Sequence, residues 1–239
     1  FPNVEIIQGN GNLYWAGGMR FGWEQSVSHK KFDFLFVYND DICLKQDALA
    51  HLIEISSFVS RHQGLLHVVT GAFTDQSGQN TTYGGLINYC WWHPLRFKRV
   101  DTIGYPQKVD TLNMNAALIT SKAVNQVGFL ANYFKHRGAD YEYGLRLRKV
   151  GGTVWLSSKP IGWCDRNSTQ GTMYESNILL RKRVYRLFSL KGHPLSQSLR
   201  YYHDHGGVFW PILWLGLYLR EFLKLLQVKN YVLISKNTK

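Results

Sequence analysis

The stretch Phe32–Asp41, with the sequence FDFLFVYNDD, decides the fold. Its first seven residues, Phe32–Tyr38, are almost wholly apolar, which is typical of a strand that is covered on both faces. Helical periodicity follows over Asp47–His62, and Leu65–Phe73 (LLHVVTGAF) is typical of a second buried strand. A strand, a helix and a strand in this order predict a parallel sheet with a right-handed crossover, and therefore an α/β protein.

The rest of the chain extends this order in both directions. Upstream, the sequence predicts a short strand over Asn3–Gln8, a glycine-rich loop over Gly9–Gly18 and a helix over Met19–His29. Downstream, the predicted segments are a long loop region with short strands (Thr74–Lys108), a strand (Thr111–Thr120), a short helix (Ser121–Val127), a second helix (Asp140–Val150), a last strand (Val154–Ser157) and two helices outside the sheet (Glu175–Leu190 and Val208–Val228).

The composition indicates a globular protein. Of the 239 residues, 45% are hydrophobic and 15% are aromatic, which is more apolar surface than disordered chains have. The longest apolar run, Val208–Leu219, is shorter than the roughly 18 residues of a membrane-spanning helix. We therefore expect neither a disordered chain nor an integral membrane protein.

The cysteines bear on the cellular compartment. Cys43, Cys90 and Cys164 are odd in number and far apart, and none belongs to a CxxC pair. This pattern indicates neither a disulfide framework nor a zinc knuckle, so we expect reduced thiols and a cytosolic chain. No signal peptide is visible, and because the pattern at Phe1 begins in the middle of an element, we expect N-terminal sequence to be missing.

The positive charge is concentrated in the C-terminal quarter. Residues 176–239 hold eleven basic and two acidic side chains, so they carry +9 of the chain's net charge of +12. A basic segment on a nearly neutral body favours an anionic partner, namely phosphates, a membrane surface or nucleic acid. A solvated basic face is the plainer alternative.

Two predicted helices in this segment have an apolar and a basic side. The helix Val208–Val228 is apolar for three turns and then carries Arg220 and Lys224 on one side. The two helices would either form a basic, amphipathic surface that lies on an anionic membrane, or pack on the core with a solvated basic face. The helix Glu175–Leu190 has on one face Leu180, Val184, Leu187 and Phe188, and largely off that face Arg181, Lys182, Arg183 and Arg186.

The acidic pair Asp40 and Asp41 follows the first buried strand directly. In open α/β sheets, ligands bind outside the carboxyl ends of the strands. Two adjacent carboxylates repel each other unless a cation or hydrogen-bond donors neutralise them, and oxygen ligands that are open to water suit Mg²⁺ or Mn²⁺. The alternative is a turn or a helix cap, where Asp is also favoured.

Several segments, in their order and spacing, resemble the family 2 glycosyltransferases. They are NGNLYWAGGMRFG (10–22), FDFLFVYNDD, KQDALAHLIE, DTLNMNAALITSKAV, HRGADYEYGLRLRKVGG and GWCDRN. The resemblance implies the GT-A nucleotide-diphospho-sugar transferase fold, a mostly parallel mixed sheet flanked by helices, followed by C-terminal helices. Residues 1–170 would be the glycosyltransferase core, without the family's opening strand and its Asp-Gly-Ser turn. Residues 171–239 would be a basic helical extension, and KGHPLSQSLRYYHDHGGVFWP within it is similar to a tail in one bacterial branch.

The resemblance also implies the catalytic groups. The family's DxD motif falls on Asn39-Asp40-Asp41, so Asp41 would bind a divalent cation, Mn²⁺ or Mg²⁺, with Asp40 near the ribose or the metal. The family's second acidic motif falls on Ala139-Asp140, so Asp140 would be the general base that deprotonates the acceptor hydroxyl. A charge at the start of a helix is the alternative reading of Asp140 without the family.

The remaining binding residues follow from the same resemblance. Gly17, Gly18 and Arg20 lie where the family passes the donor nucleotide, and Asn39 would join them in donor binding. The acceptor site would include Trp91, Trp92 and Glu142, because sugar rings stack on aromatic rings. Tyr83 and Tyr105 lie in the same loose segment, and ordinary packing of a long loop is the alternative for these aromatic residues.

The resemblance therefore implies an inverting, metal-dependent hexosyl- or deoxyhexosyltransferase. It would move a sugar from a nucleotide-diphosphate sugar, with UDP, dTDP or GDP, to a saccharide or lipid-linked acceptor in bacterial surface polysaccharide synthesis. Its place would be cytoplasmic, peripherally bound to the inner face of the cell membrane, with no nucleic acid as partner. The alternatives are a catalytically silent relative that binds a partner or a membrane, a nucleic-acid-binding protein, and a nucleotidyltransferase on a related sheet.

Overall fold

A computed structural model describes residues 4–28, 31–176 and 178–236, the side chains of residues 227–236 excepted. The strands within these ranges are β1 (Phe34–Tyr38), β2 (Cys43–Leu44), β3 (His67–Thr74), β4 (Thr81–Tyr83), β5 (Gly85–Asn88), β6 (Phe97–Arg99), β7 (Gln107–Val109), β8 (Thr111–Leu112), β9 (Ala116–Thr120) and β10 (Thr153–Trp163). The helices are α1 (Tyr14–Val27), α2 (Ala48–Gln63), α3 (Ser121–Val127), α4 (Ala139–Lys149), α5 (Leu180–Leu187), α6 (Leu195–His205) and α7 (Trp210–Lys236).

The central sheet is mixed, in the order β1-β9-β3-β10-β2, with β4 added to β3 and β7 to β10. Strands β1, β3 and β10 run in one direction, as the order of elements predicts. However, β9 lies antiparallel between β1 and β3, so β3–β10 is the parallel pair among the described strands. The expected predominance of parallel pairing is therefore wrong. The reason is that the chain enters β9 through a turn at the carboxyl end of β1, where Ala116 faces Tyr38.

Helices cover both faces of this sheet. On one face, the buried side of α2 (Leu52, Ile55 and Val59) packs against β3, β9 and β10. On the other face, α3 and α4 pack against the same strands through a second cluster that includes Tyr143 and Leu147. All five residues of β9 are buried, as expected of a strand between two layers of helices. The predicted α/β class, with a mixed sheet flanked by helices and helices at the C-terminal end, is confirmed.

The N-terminal segment differs from its prediction. Residues 4–10 form no strand, although Asn3–Gln8 has a strand-like pattern (Asn3 lies outside the described residues). A strand needs a neighbouring edge for its hydrogen bonds, and Val4 and Ile6 are instead exposed. Helix α1 begins at Tyr14 rather than Met19, because Ala16 and Trp23 bury one side of it against the core. The predicted end of this helix, His29, lies outside the described residues.

The predicted bounds of two further strands are wrong. The predicted strand Val154–Ser157 is the first part of β10, which continues to Trp163 across shifts of register around Pro160. Such irregularities accommodate a proline within a sheet. The predicted strand Thr111–Thr120 is two strands, β8 and β9, separated by a turn at Asn113–Asn115. The loose segment Thr74–Lys108 contains short strands as expected, and three strands form a small second sheet in the order β6-β5-β8.

The C-terminal helices α5, α6 and α7 pack on one another and on the core. Helix α5 is shorter than the predicted Glu175–Leu190, and α6 is a helix that the sequence pattern did not indicate. Arg183 is not off the packed face, because its guanidinium is buried and donates to the carbonyl oxygens of Met173 and Ile178. Arg186 pairs with Glu175 at 2.7 Å. Among the described residues, no helix is at once long and apolar enough to cross a membrane.

Candidate functional site

The candidate site is built on the turn Asn113–Asn115, which we call the asparagine turn. Its backbone is fixed from three sides. The amide of Asn39, just after β1, donates to the carbonyl oxygen of Asn115 at 2.9 Å. Thr70 Oγ1 on β3 donates to the carbonyl oxygen of Asn113 at 2.9 Å, and the amide of Asn113 donates to the carbonyl oxygen of Gly84 at 2.8 Å. The turn therefore lies at the carboxyl end of β1, where α/β sheets bind ligands.

Asp140 reaches this turn from the first turn of α4. The helix begins after Gly138, whose φ of +94° only glycine adopts readily, so the chain bends sharply just before the carboxylate. Asn113 Nδ2 donates to Asp140 Oδ2 at 3.4 Å, and the amide of Tyr141 donates to Asp140 Oδ1 at 2.9 Å. Asp140 thus adjoins the asparagine turn, and through it the end of β1.

The surroundings of Asp140 change its acidity. Burial raises the pKa of the Asp140 carboxyl to about 6, while the hydrogen bonds from Tyr141 and Asn113 act in the opposite direction. A carboxylate with a pKa of about 6 is mostly ionised near pH 7, and it is a stronger base than a carboxylate with the ordinary pKa. Beside it, the Asn113 Oδ1 atom is buried and has no hydrogen-bond partner among the described residues, so it offers an acceptor to a ligand hydroxyl.

Asp40 and Asp41 form the second acidic part of the site. Both lie in the exposed turn that follows β1. The thiol of Cys164, at the end of β10, donates to the carbonyl oxygen of Asp41 at 3.6 Å. Burial, followed by the negative charge of Asp41, raises the pKa of the Cys164 thiol to about 11, so Cys164 stays a neutral hydrogen-bonding group. Asp165 follows Cys164 directly and also acts on its thiol, so a third carboxylate lies at this edge.

Two guanidinium groups lie on the same edge. The Arg99 side chain lies over the ring of Tyr83, 5.9 Å from its centroid. Burial, and then the positive charge of Arg166, lower the pKa of Arg99. The Tyr83 hydroxyl accepts from the amide of Asn167 at 3.3 Å and also lies within the electrostatic field of Asp41. Carboxylates and like-charged guanidinium groups at one edge of a sheet are a suitable combination for a phosphate ligand with a divalent cation.

The predicted donor residues on α1 lie in a helix rather than a loop. Gly17 is buried, and Gly18 lines an open groove of about 410 Å³ together with residues 7–9, 11, 13–14 and 21–22. Arg20 donates to the carbonyl oxygen of Ala131 at 3.2 Å, which ties α1 to the segment before α4. Asn39 Oδ1 accepts from the indole Nε1 of Trp15 at 2.8 Å. Donor binding by these four residues stays a prediction.

The predicted acceptor residues are not gathered around Asp140. Trp91 lies in a turn after β5 with 95% of its surface exposed, and Arg96 lies 5.2 Å from the ring centroid of Trp92. Glu142 is buried, and its Oε1 accepts from Arg146 Nε at 2.8 Å. Two residues along a helix from Asp140, Glu142 projects from a different side of α4. Acceptor binding by these residues stays a prediction.

Most of the residues that lie between the acidic pair Asp40 and Asp41 and the carboxylate of Asp140 were not predicted from the sequence. Asn113, Asn115, Cys164 and Arg99 had no assigned role, although the segments NMN and CDRN stand within the quoted motifs. The available signal was the pair of asparagines inside an otherwise apolar run, because polar residues in a buried strand mark an interruption.

Comparisons with known proteins assign the chain to no family. No protein-family model matches the chain, and no curated protein matches it. Among solved structures 42 chains match, and one of them is the crystal structure of GalNAc-T7 with UDP, GalNAc and Mn²⁺. The match has a TM-score of 0.42 and 14% sequence identity, and it covers 77% of this chain and 36% of that chain. This chain therefore spans little more than a third of the protein that it matches.

Proposed function

We propose that the protein is a nucleotide-sugar-dependent glycosyltransferase in which Asp140 is the general base. The asparagine turn carries this proposal, because Asn113 contacts Asp140 and Asn115 contacts Asn39 next to the acidic pair Asp40 and Asp41. The pKa of Asp140, about 6, suits a base that works near neutral pH. The resemblance of the sequence motifs to family 2 glycosyltransferases supports the same assignment.

The proposed chemistry is a single displacement. A sugar hydroxyl is a poor nucleophile, so its proton has to leave as it attacks. Asp140 takes that proton while the acceptor oxygen forms a bond to the anomeric carbon of the donor. The bond from that carbon to the diphosphate oxygen breaks, and the nucleoside diphosphate leaves with the electron pair. The anomeric carbon is inverted, and no covalent nucleophile takes part.

A divalent cation, Mn²⁺ or Mg²⁺, belongs to this proposal. Asp40 and Asp41 are exposed carboxylates, and oxygen donors of this kind suit hard cations. In the part of the chain that the structure describes, no three His, Cys, Asp or Glu side chains are arranged to hold a metal. The diphosphate and water would therefore complete the coordination. When bound, the cation would stabilise negative charge on the leaving diphosphate. Arg99 and Arg166 would contact the same phosphates.

The finer parts of the proposal rest on the sequence motifs. We place the catalytic core in residues 1–170 and the basic helical extension in residues 171–239. The donor would be a UDP-, dTDP- or GDP-hexose or deoxyhexose, and the acceptor a saccharide or a lipid-linked saccharide of a bacterial surface polysaccharide. Such an enzyme would work on the cytoplasmic side of the cell membrane.

The test combines nucleotide binding with product analysis. UDP, GDP and dTDP are titrated calorimetrically in Mn²⁺ and in EDTA, and we expect one of them to bind only in Mn²⁺. Asp41→Ala is expected to abolish this binding, and Asp47→Ala, which removes an exposed carboxylate paired with Lys159, is expected to preserve it. With the matching sugar nucleotide, the protein should release nucleoside diphosphate. Asp140→Asn should slow release at least about 100-fold and leave donor binding unchanged.

Three results would count against this function. Release of pyrophosphate would indicate a nucleotidyltransferase. Loss of nucleotide binding in Asp140→Asn would mean that Asp140 belongs to the donor site and is not the base. Absence of binding by all three nucleotides in Mn²⁺ would contradict the donor assignment and would favour a silent relative that binds a partner.

A further inference from the structure

Helix α7 has two apolar sides. One side packs on the protein through Leu213, Leu217 and Leu225, which are all buried. The opposite side carries six large apolar residues whose exposed fraction lies between 38% and 68%. We call these six residues the α7 stripe: Ile212, Leu215, Leu219, Phe222, Leu223 and Leu226.

The stripe is continuous and has no charged residue. At 100° per residue, its six members fall within an arc of about 100°, on the side of the helix away from Leu217. It runs along about 21 Å of the helix axis. At the N-terminal end of the helix, Val208 and Phe209 extend the apolar surface with exposed fractions of 91% and 64%. An apolar surface of this length and regularity marks an interaction site.

Helix α5 adds basic groups beside the stripe. The ring of Phe188, just after α5, stacks on Tyr218 of α7 with 5.4 Å between the centroids. Tyr218 is one turn before Phe222 of the stripe, so α5 lies along this edge of it. Arg181 and Lys182 are exposed on α5, together with Tyr185. Aromatic and basic residues at the edge of an apolar strip are typical of a surface that lies on a membrane.

The charge of the region favours an anionic partner. Residues 178–226 contain eight basic side chains and two acidic ones. Both acidic groups are already paired within the described residues, Glu221 with Arg220 and Lys224, and Asp204 with Arg200 and His203. A second copy that docked face to face would bring two positive surfaces together. Anionic lipid head groups instead complement the charge, at about 1 kcal/mol for each basic side chain near the surface.

We propose that α7 lies in the plane of an anionic membrane, with the α7 stripe buried among the lipid head groups and the upper acyl chains. Arg181 and Lys182 then contact anionic head groups at the edge of the stripe. Attachment through one amphipathic helix of this kind is peripheral and reversible. The membrane-associating part of the proposal does not depend on which reaction the chain catalyses.

The test is sedimentation of the whole chain with vesicles. One set of vesicles contains phosphatidylcholine alone, and the other also contains about one quarter phosphatidylglycerol. We expect strong binding to the anionic vesicles and weak binding to the neutral ones. The variant Leu215→Ser/Leu219→Ser/Leu223→Ser should bind the anionic vesicles at least about tenfold more weakly. The control Leu49→Ser/Ile53→Ser/Phe58→Ser removes three large apolar residues on α2, which are 39–43% exposed, and should bind as the unaltered protein does.

Two further measurements test the role of the basic groups and the oligomeric state. Arg181→Gln/Lys182→Gln leaves the apolar stripe intact and is expected to weaken binding to the anionic vesicles and to reduce its dependence on salt. Analytical ultracentrifugation gives the oligomeric state of each variant. Failure of the unaltered chain to sediment with anionic vesicles would overturn the proposal, and so would equal binding by the stripe variant. A dimer that the stripe variant converts to a monomer, without vesicle binding, would assign the stripe to a second copy.

Discussion

At the scale of a single residue, the burial of Asp140 has two opposing effects, since it orients the carboxylate but makes its charged form less stable. As the base of the proposed reaction it is partly buried, and Asn113 and the amide of Tyr141 orient its two oxygens. The same burial makes its charged form costly, and this raises the pKa of the Asp140 carboxyl from the ordinary 3.8 to about 6. A residue that is poised for proton transfer therefore destabilises the fold at neutral pH.

The sign of this effect gives a measurable prediction. Because the folded protein binds the Asp140 proton more tightly than the unfolded chain does, the stabilisation is present below about pH 3.8 and is lost as the pH rises through about 6. Asn at position 140 stays neutral at every pH. We therefore expect Asp140→Asn to melt at nearly the same temperature as the unaltered protein at about pH 4, and at a higher temperature at about pH 7.5.

Thermal unfolding at the two pH values checks this difference. The control is Asp101→Asn, which neutralises an exposed carboxylate and should shift the melting temperature little at either pH. If the difference between Asp140→Asn and the unaltered protein were the same at both pH values, the raised pKa of Asp140 would be wrong.

At the scale of elements, the close packing of β3, β5 and β10 depends on a glycine. Gly84 has a φ of +146°, and a Cβ there would lie 3.0 Å from Leu156 Cδ1 and 3.3 Å from Ala72 Cα. Its carbonyl oxygen also accepts the hydrogen bond from the amide of Asn113. Gly84→Ala is expected to lower the free energy of unfolding by about 3 kcal/mol, through strain at a positive φ and crowding in the core. It should also loosen the asparagine turn.

Urea unfolding compares this variant with Gly78→Ala. Gly78 also has a positive φ, of +74°, but a Cβ added there would meet no described atom within 4 Å, so this variant tests a positive φ without the crowding. We expect Gly78→Ala to cost about 1 kcal/mol. Equal losses of unfolding free energy in the two variants would contradict the expected extra cost of crowding at Gly84.

How far the elements follow from the sequence depends on whether their pattern is local. The strands β1 and β3 and the helix α2 between them were predicted to within two residues, because their apolar runs and the glycine at position 64 are local signals. Asp40, Asp41 and Asp140 could be singled out because acidic residues at strand and helix ends are visible in the sequence. Their common neighbour, the asparagine turn, could not, since its position depends on β9 entering between β1 and β3. The start of α1 could not be predicted either, because it depends on the burial of Ala16 and not on the glycines of the segment.

At the scale of the whole molecule, the buried carboxylate of Glu142 on α4 contacts the C-terminal helix α6. Glu142 on α4 has a side chain that is only 3% exposed and accepts from Arg146 Nε at 2.8 Å. His205, the last residue of α6, lies 3.5 Å from the same oxygen. Arg146 also donates to the carbonyl oxygens of Val127 and Phe129, so one cluster joins α4, α6 and the segment after α3.

This cluster leads to the expectation that core and C-terminal helices unfold together. Glu142→Ala leaves Arg146 without its carboxylate and is expected to lower the free energy of unfolding by about 3 kcal/mol. Glu142→Gln keeps a hydrogen-bond acceptor and should cost less. The control is Glu54→Ala, since the Glu54 side chain is 81% exposed and its pair with His51 lies on the surface, where such contacts contribute less than about 1 kcal/mol.

Urea titrations followed by tryptophan fluorescence and by far-ultraviolet circular dichroism measure this coupling. Both signals should change in one common transition in the unaltered protein and in Glu142→Ala, with the variant's midpoint shifted to lower urea. A separate early loss of helical signal in Glu142→Ala, with an unchanged midpoint for the rest, would mean that α5–α7 fold independently. The proposed membrane-binding helix α7 would then be an appendage whose docking leaves the surroundings of Asp140 unaffected. A common transition would mean instead that α7 and the surroundings of Asp140 belong to one cooperative unit.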